Sequence, residues 1–200
     1  MDEAGRVRLN RAALWLAYAT VAYNAVEGAV AIWAGSSAGS LALVSFGGDS
    51  VVECLSALVI VWQFRADVPE ERERQALRGI AVAFFALAGY IVVDALRTLV
   101  TGVEAQPSPV GIALAVVSLL VMPMLAWAKR GVGRKLGSAT VTADSMQTLL
   151  CTYLSAVLLI GLVLNATLGW SWADPLAALV IAAVAVNEGR EAWRGEDCDC

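Results

Sequence analysis

Six apolar segments, each about twenty residues long and set apart by short polar punctuation, leave this chain one solvent to fold in, a lipid bilayer. They fall at 12–34, 41–64, 77–99, 109–128, 139–165 and 174–189. As helices rising 1.5 Å per residue, each is long enough to cross ~30 Å of hydrocarbon. Helices satisfy their own backbone hydrogen bonds there, which open strands cannot. A water-soluble globule of 200 residues has no room to bury six helices that are apolar on nearly every side. With 59% hydrophobic and 16% charged residues, the composition points the same way. The expected fold is therefore all-α, an integral membrane bundle of six transmembrane helices.

Loop chemistry separates the spans: Gly35 to Ser40, Pro69 within a charged run, Pro107-Ser108-Pro109, Gly131 to Gly137, and Gly169-Trp170. Of the 14 lysines and arginines, all but Arg97 fall before span one (Arg6, Arg8, Arg11), between spans two and three (Arg65, Arg72, Arg74, Arg78), after span four (Lys129, Arg130, Arg134, Lys135) or after span six (Arg190, Arg194). That asymmetry predicts that both termini are cytoplasmic. Trp33, Trp170 and Trp172 sit near the opposite ends, where headgroups favour indoles. The expected division is a cytoplasmic segment over 1–11, a six-helix domain over 12–194 and a cytoplasmic Cys/Asp tail over 195–200. The charged start, followed by a long apolar run, predicts a retained signal anchor rather than a cleaved leader. The net charge of −4 is spread over short connections without a basic patch, so a nucleic-acid partner is not expected. Cys54, Cys151, Cys198 and Cys200 do not form the dense pattern of a disulfide scaffold and read as thiols.

Polar side chains within the spans need a reason, because a central charge costs ~2.5–3.5 kcal/mol on insertion scales. Asp49 and Glu53 are four apart on span two. They share one helix face and repel each other unless a cation or a proton intervenes. Asp144, Gln147 and Cys151 are spaced three and four apart on span five, and they combine carboxylate, amide and thiol on another face. Span two runs inward and span five outward, so Asp49 should lie level with Cys151 and Glu53 nearer Gln147. Asp49, Glu53, Gln147 and Cys151 are thus candidate ligands of one tetrahedral metal site. Asn24, Glu27 and Asp144 are candidates for supporting those ligands or relaying protons. Cys198 and Cys200, beside Asp197 and Asp199, are candidates for collecting metal at the cytoplasmic face.

Each of these has a plainer reading. Gln147 can bond a neighbouring helix and Cys151 can fill space. For the acid pair the plain reading is harder, since no base is expected within the spans. Asp94 is expected to pair with Arg97 three residues on, Asp174 before Pro175 reads as the cap of its own helix, and Pro123 is a candidate kink. Gly28, Gly47, Gly48, Ala143 and Ser145 allow close helix approach. A membrane thiol oxidoreductase is disfavoured, because the cysteines are scattered.

The stretch GSSAGSLALVSFGGDSVVE resembles the loop and second helix of the cation diffusion facilitators, where a small-residue loop leads into an acid-x-x-x-acid pair. SATVTADSMQTLLCTYLSAVLLIGLVLN and WADPLAALVIAAVAVNEG resemble that family's fifth and sixth helices. By this resemblance Asp49 and Glu53 match the family's acidic pair, while Gln147 and Cys151 stand where His-x-x-x-Asp is usual. The chain has no histidine, so the donor set is softer. The family usually carries a cytoplasmic domain after the sixth helix. Here only a short tail follows, and the homodimer the family implies would be held by membrane helices. The resemblance implies a multi-pass protein of the plasma or inner membrane that exports a divalent transition-metal cation, zinc or a softer ion, by proton antiport. The metal is then substrate, with no permanently bound cofactor, and the chain is not expected to be an enzyme. The alternative is a membrane metal-binding sensor, or a helix-bundle subunit that does not transport.

Overall fold

A computed structural model describes residues 3–64, 73–101 and 104–194. They form six helices, α1 (Glu3–Ala38), α2 (Leu41–Phe64), α3 (Glu73–Thr101), α4 (Pro109–Leu136), α5 (Ala139–Leu168) and α6 (Ala173–Arg194), with no strand among the described residues. The chain is an all-α membrane bundle, as its apolar segments predict.

The reversals follow from local chemistry. Gly39, between α1 and α2, and Gly137, between α4 and α5, have φ of 64° and 65°, the left-handed conformation that closes a helix and that a Cβ disfavours. Ser138 then caps α5 by accepting the Val141 N–H at 3.4 Å. Ser108 caps α4 by accepting the Gly111 N–H at 3.1 Å, with Pro109 in the first turn, where its missing N–H is not needed. α4 continues unbroken through Pro123.

The helices alternate in direction. Gly28 lies against Gly47 and Ser50, and Gly35 against Val44, so α1 and α2 are antiparallel. Gly133 meets Thr142 while Ser118 meets Ser155, so α4 and α5 are too. At the other α-helical seam, Gly189 of α6 packs on Phe84 and Phe85 of α3, and the Arg78 guanidinium lies 5.9 Å from the Trp193 ring centroid. Apart from the Arg78–Trp193 pair, these contacts rest on glycine and serine, which in lipid let dispersion forces act at short range.

Segments of α2, α3, α4 and α5 (Leu41–Gln63, Leu77–Thr101, Pro109–Leu136, Thr140–Leu168) are each long and apolar enough to cross a membrane unaided. α1 and α6 carry Asn24, Glu27 and Asp174, which dilute their apolarity. The bundle turns those three inward, leaving them 0%, 2% and 3% exposed. Meanwhile Trp15, Val93, Leu120, Met124 and Trp127 face outward. Polar inside and apolar outside is the arrangement a lipid solvent selects.

Candidate functional site

α2, α4 and α5 carry the polar core, with α1 closing one side. Asp49 and Glu53 are one turn apart on α2 and both are buried. The buried Cys151 thiol of α5 stands beside the Asp49 carboxylate, within electrostatic reach of Glu53 and Glu27. Ser155 fixes this part of α5, donating to the Cys151 carbonyl at 2.6 Å and sharing a hydroxyl–hydroxyl hydrogen bond with Ser118 of α4 at 2.9 Å.

One turn toward the Gly137 end, Glu53 enters a different network. Its Oε1 accepts from the Thr148 hydroxyl and from the Lys129 ammonium at 3.4 Å. Lys129 also donates to Thr148 Oγ1 at 2.7 Å and lies 2.8 Å from Asp144 Oδ2. Ser56 Oγ approaches Asp144 Oδ1 at 3.4 Å. Thus α2, α4 and α5 are tied by a buried carboxylate–ammonium–carboxylate triad, whose ammonium is matched by three oxygens.

Lys129 corrects the sequence expectation. It counted there among loop charges, and the spans were taken to hold no base, yet its side chain is 1% exposed and buried between two acids. The apolar run ends at 128, but the helix continues to Leu136, which brings residue 129 inside. A signal was present. Gly111, Ala115, Ser118, Met122, Ala126, Lys129 and Gly133 recur every three or four residues and form the buried stripe of α4.

The other candidates divide. Glu27 accepts from Tyr23 at 3.1 Å and from Ser50 at 3.0 Å, with Ser118 as a further partner. Asn24 is fully buried and neither its Nδ2 nor its Oδ1 has a partner. Gln147 is buried with Nε2 unpartnered, and Glu53 Oε2 is likewise unpartnered. Cys198 and Cys200 lie outside the described residues. Among the described residues no three Cys, Asp or Glu side chains gather closely enough to hold one metal ion. Asp49 and Cys151 meet, while Glu53 is turned onto Lys129 and Thr148. Glu188, half-buried on α6, acts electrostatically on Asp49, a neighbour that sequence spacing did not disclose.

Two expectations away from the core also change. Asp174 does not cap its own helix. Its Oδ2 accepts the Ala42 N–H at 3.1 Å and its Oδ1 accepts the Ser40 hydroxyl, so it supports the start of α2. Asp94 and Arg97 are not among the ion pairs of the described residues; with Tyr90, Ser36 and Ser40 they line a cleft of about 340 Å³ at the Gly39 end.

A polytopic helical bundle with ionisable side chains gathered in its core belongs to the class of membrane proteins that handle ions. Residues 79–194 match the cation efflux transmembrane domain, and the chain belongs to that family. It is 31% identical to a Synechocystis protein named as an uncharacterized transporter, in a 174-residue alignment that covers 81% of this chain and 56% of that one. It is 30% identical to the cation-efflux pump FieF of Shewanella oneidensis, in a 154-residue alignment that covers 72% of this chain and 52% of that one. The chain spans about half the length of the curated relatives it matches.

Proposed function

We propose that this chain is a secondary transporter that moves a divalent transition-metal cation out of the cytoplasm in exchange for protons, with Asp49, Glu53, Gln147 and Cys151 as donors. The observation that carries the reading is the buried Asp49–Cys151 meeting between α2 and α5. One turn away, the carboxylate oxygen Glu53 Oε2 has no partner within the protein. Buried polar atoms without partners are costly, and a polar cargo offsets that cost. A thiol beside a carboxylate favours a borderline or soft cation over magnesium or calcium. Crowded carboxylates need either a cation or protons, so loading one releases the other, which is the thermodynamic requirement of antiport. A relative's name as a cation-efflux pump agrees with the direction. The arginine and lysine asymmetry supports cytoplasmic termini in a cell or inner membrane, and two copies would join through their membrane helices.

The reading is tested by reconstituting the purified chain in sealed vesicles and following zinc, cobalt and cadmium movement under a proton gradient. Wild type is expected to move at least one of them. Asp49→Asn, equally abundant in the membrane, is expected to lose that flux by about a hundredfold or more, as for loss of a ligand that supports it. A second reading, a binding protein without turnover, is favoured by the tie that Lys129 makes to Glu53. It predicts saturable binding with no flux in the same vesicles.

A further inference from the structure

Lys129 is a buried charge that the transport reading leaves unused. A lysine that only fastened helices together would need one good acid partner, and Asp144 at 2.8 Å already supplies it. The ammonium nevertheless also reaches a carboxylate of the candidate site, Glu53, at the longer distance of 3.4 Å. Thr148 lies between them, 2.7 Å from Lys129 Nζ and bonded to the same Glu53 oxygen. The other oxygen of Glu53 is buried and unpartnered. Glu53 is therefore held on one side by a cation and open on the other.

We infer that Lys129 is a tethered cation that holds Glu53 while no cargo is bound and yields it when a divalent cation enters, so that it sets how tightly the site binds and how readily it releases. This rests on the transport reading above. Two cations on one carboxylate repel strongly where the dielectric is low. The incoming ion must therefore displace the ammonium from Glu53. Displacement is feasible because the Glu53 contact is the longest of the three that Lys129 makes, and Asp144 and Thr148 remain to hold the charge, so no bare ammonium is left in the core. A compact charge on a flexible stem suits such a shift, and a rigid guanidinium does not. On outward release the ammonium returns to Glu53 and competes with rebinding. Lys129 thus acts on cargo through Glu53, as a positioning residue.

The test uses opposite signs. In the full chain, purified in detergent, zinc and cobalt dissociation constants are measured for wild type, Asp144→Asn and the double variant Lys129→Met/Asp144→Asn. Asp144→Asn leaves the ammonium with Glu53 as its only acid and is expected to weaken binding about tenfold. The double variant removes the competing cation without leaving Asp144 uncompensated, and is expected to tighten binding about tenfold and slow release from vesicles. Shifts in the same direction, or shifts below about twofold in both variants, overturn the inference, because a purely structural tie weakens binding or leaves it unmoved in each case. A wild type that binds neither metal fails the transport reading itself, and this inference with it. A wild type that binds, with variants that do not diverge, fails this inference alone.

Discussion

Asp174 illustrates what one buried carboxylate does when both its oxygens are used across a helix boundary. Ser40 caps α2 through the Leu43 N–H at 3.2 Å, and Asp174 in turn accepts from Ser40 and from the Ala42 N–H. Two donors at the start of α2 therefore depend on a residue more than 130 positions away in sequence. Replacing it with alanine leaves them buried and unpaired, a loss of ~1–3 kcal/mol. Asp174→Ala is expected to lower the thermal unfolding midpoint in detergent, while the zinc dissociation constant of the folded fraction stays at its wild-type value. A changed dissociation constant at an unchanged midpoint would show that Asp174 serves the site and not the cap. Lys129 teaches the complementary lesson, because its charge placed it in a loop by sequence while its position on a buried stripe placed it in the core.

For the helices as elements, the decisive quantity is how closely two backbones approach. A Cβ built on Gly47 would lie 2.7 Å from Ile32 Cγ1 and 3.0 Å from the Ile32 backbone nitrogen, whereas nothing lies within 4 Å of one built on Gly89 of α3. Gly47→Ala should therefore force α1 and α2 apart at a cost of ~1–3 kcal/mol. Gly89→Ala is expected to be neutral or stabilising by up to ~1 kcal/mol, since alanine is the better helix former. Parallel thermal melts of the two variants check this, and equal midpoints would mean that the α1–α2 seam is looser than described. The seam matters for function because α1 brings Glu27 to Ser50, one residue from Asp49. An element that looks insufficiently apolar by itself, α1, is thus the wall that closes the polar core.

For the whole molecule, the alternating helices put Gly39 and Trp170 at one end of the bundle and Ser138 at the other. The stacked Trp170 and Trp172 rings, 5.3 Å between centroids, belong to the first end, as expected of an aromatic belt. The proposed orientation, with both termini cytoplasmic, predicts that a cysteine placed at Ser171 reacts with a membrane-impermeant maleimide on intact cells, and one at Ser138 only after permeabilisation. Both are read in a background with Cys198 and Cys200 replaced by serine. The reverse pattern would invert the proposed direction of transport. At this scale the outward-facing tryptophans and leucines and the inward-facing acids express one balance, since lipid penalises an exposed charge more than it rewards any particular apolar contact.

Sequence by itself determined the solvent, the helix number, the approximate turns and the level at which α2 and α5 bring Asp49 and Cys151 together. These follow from periodicity, run length and the local chemistry of glycine, serine and proline, all of which act within a few residues. Asp49 opposite Cys151 was legible for that reason, as two rods of known rise and opposite direction have a predictable register. Only the tertiary structure decided which neighbours each polar atom found. Lys129 between Glu53 and Asp144, Asp174 beneath α2 and Ser118 beside Glu27 depend on how far each helix is rotated about its axis. That rotation is set by small-residue contacts summed over several helices, and no short stretch of the chain encodes it.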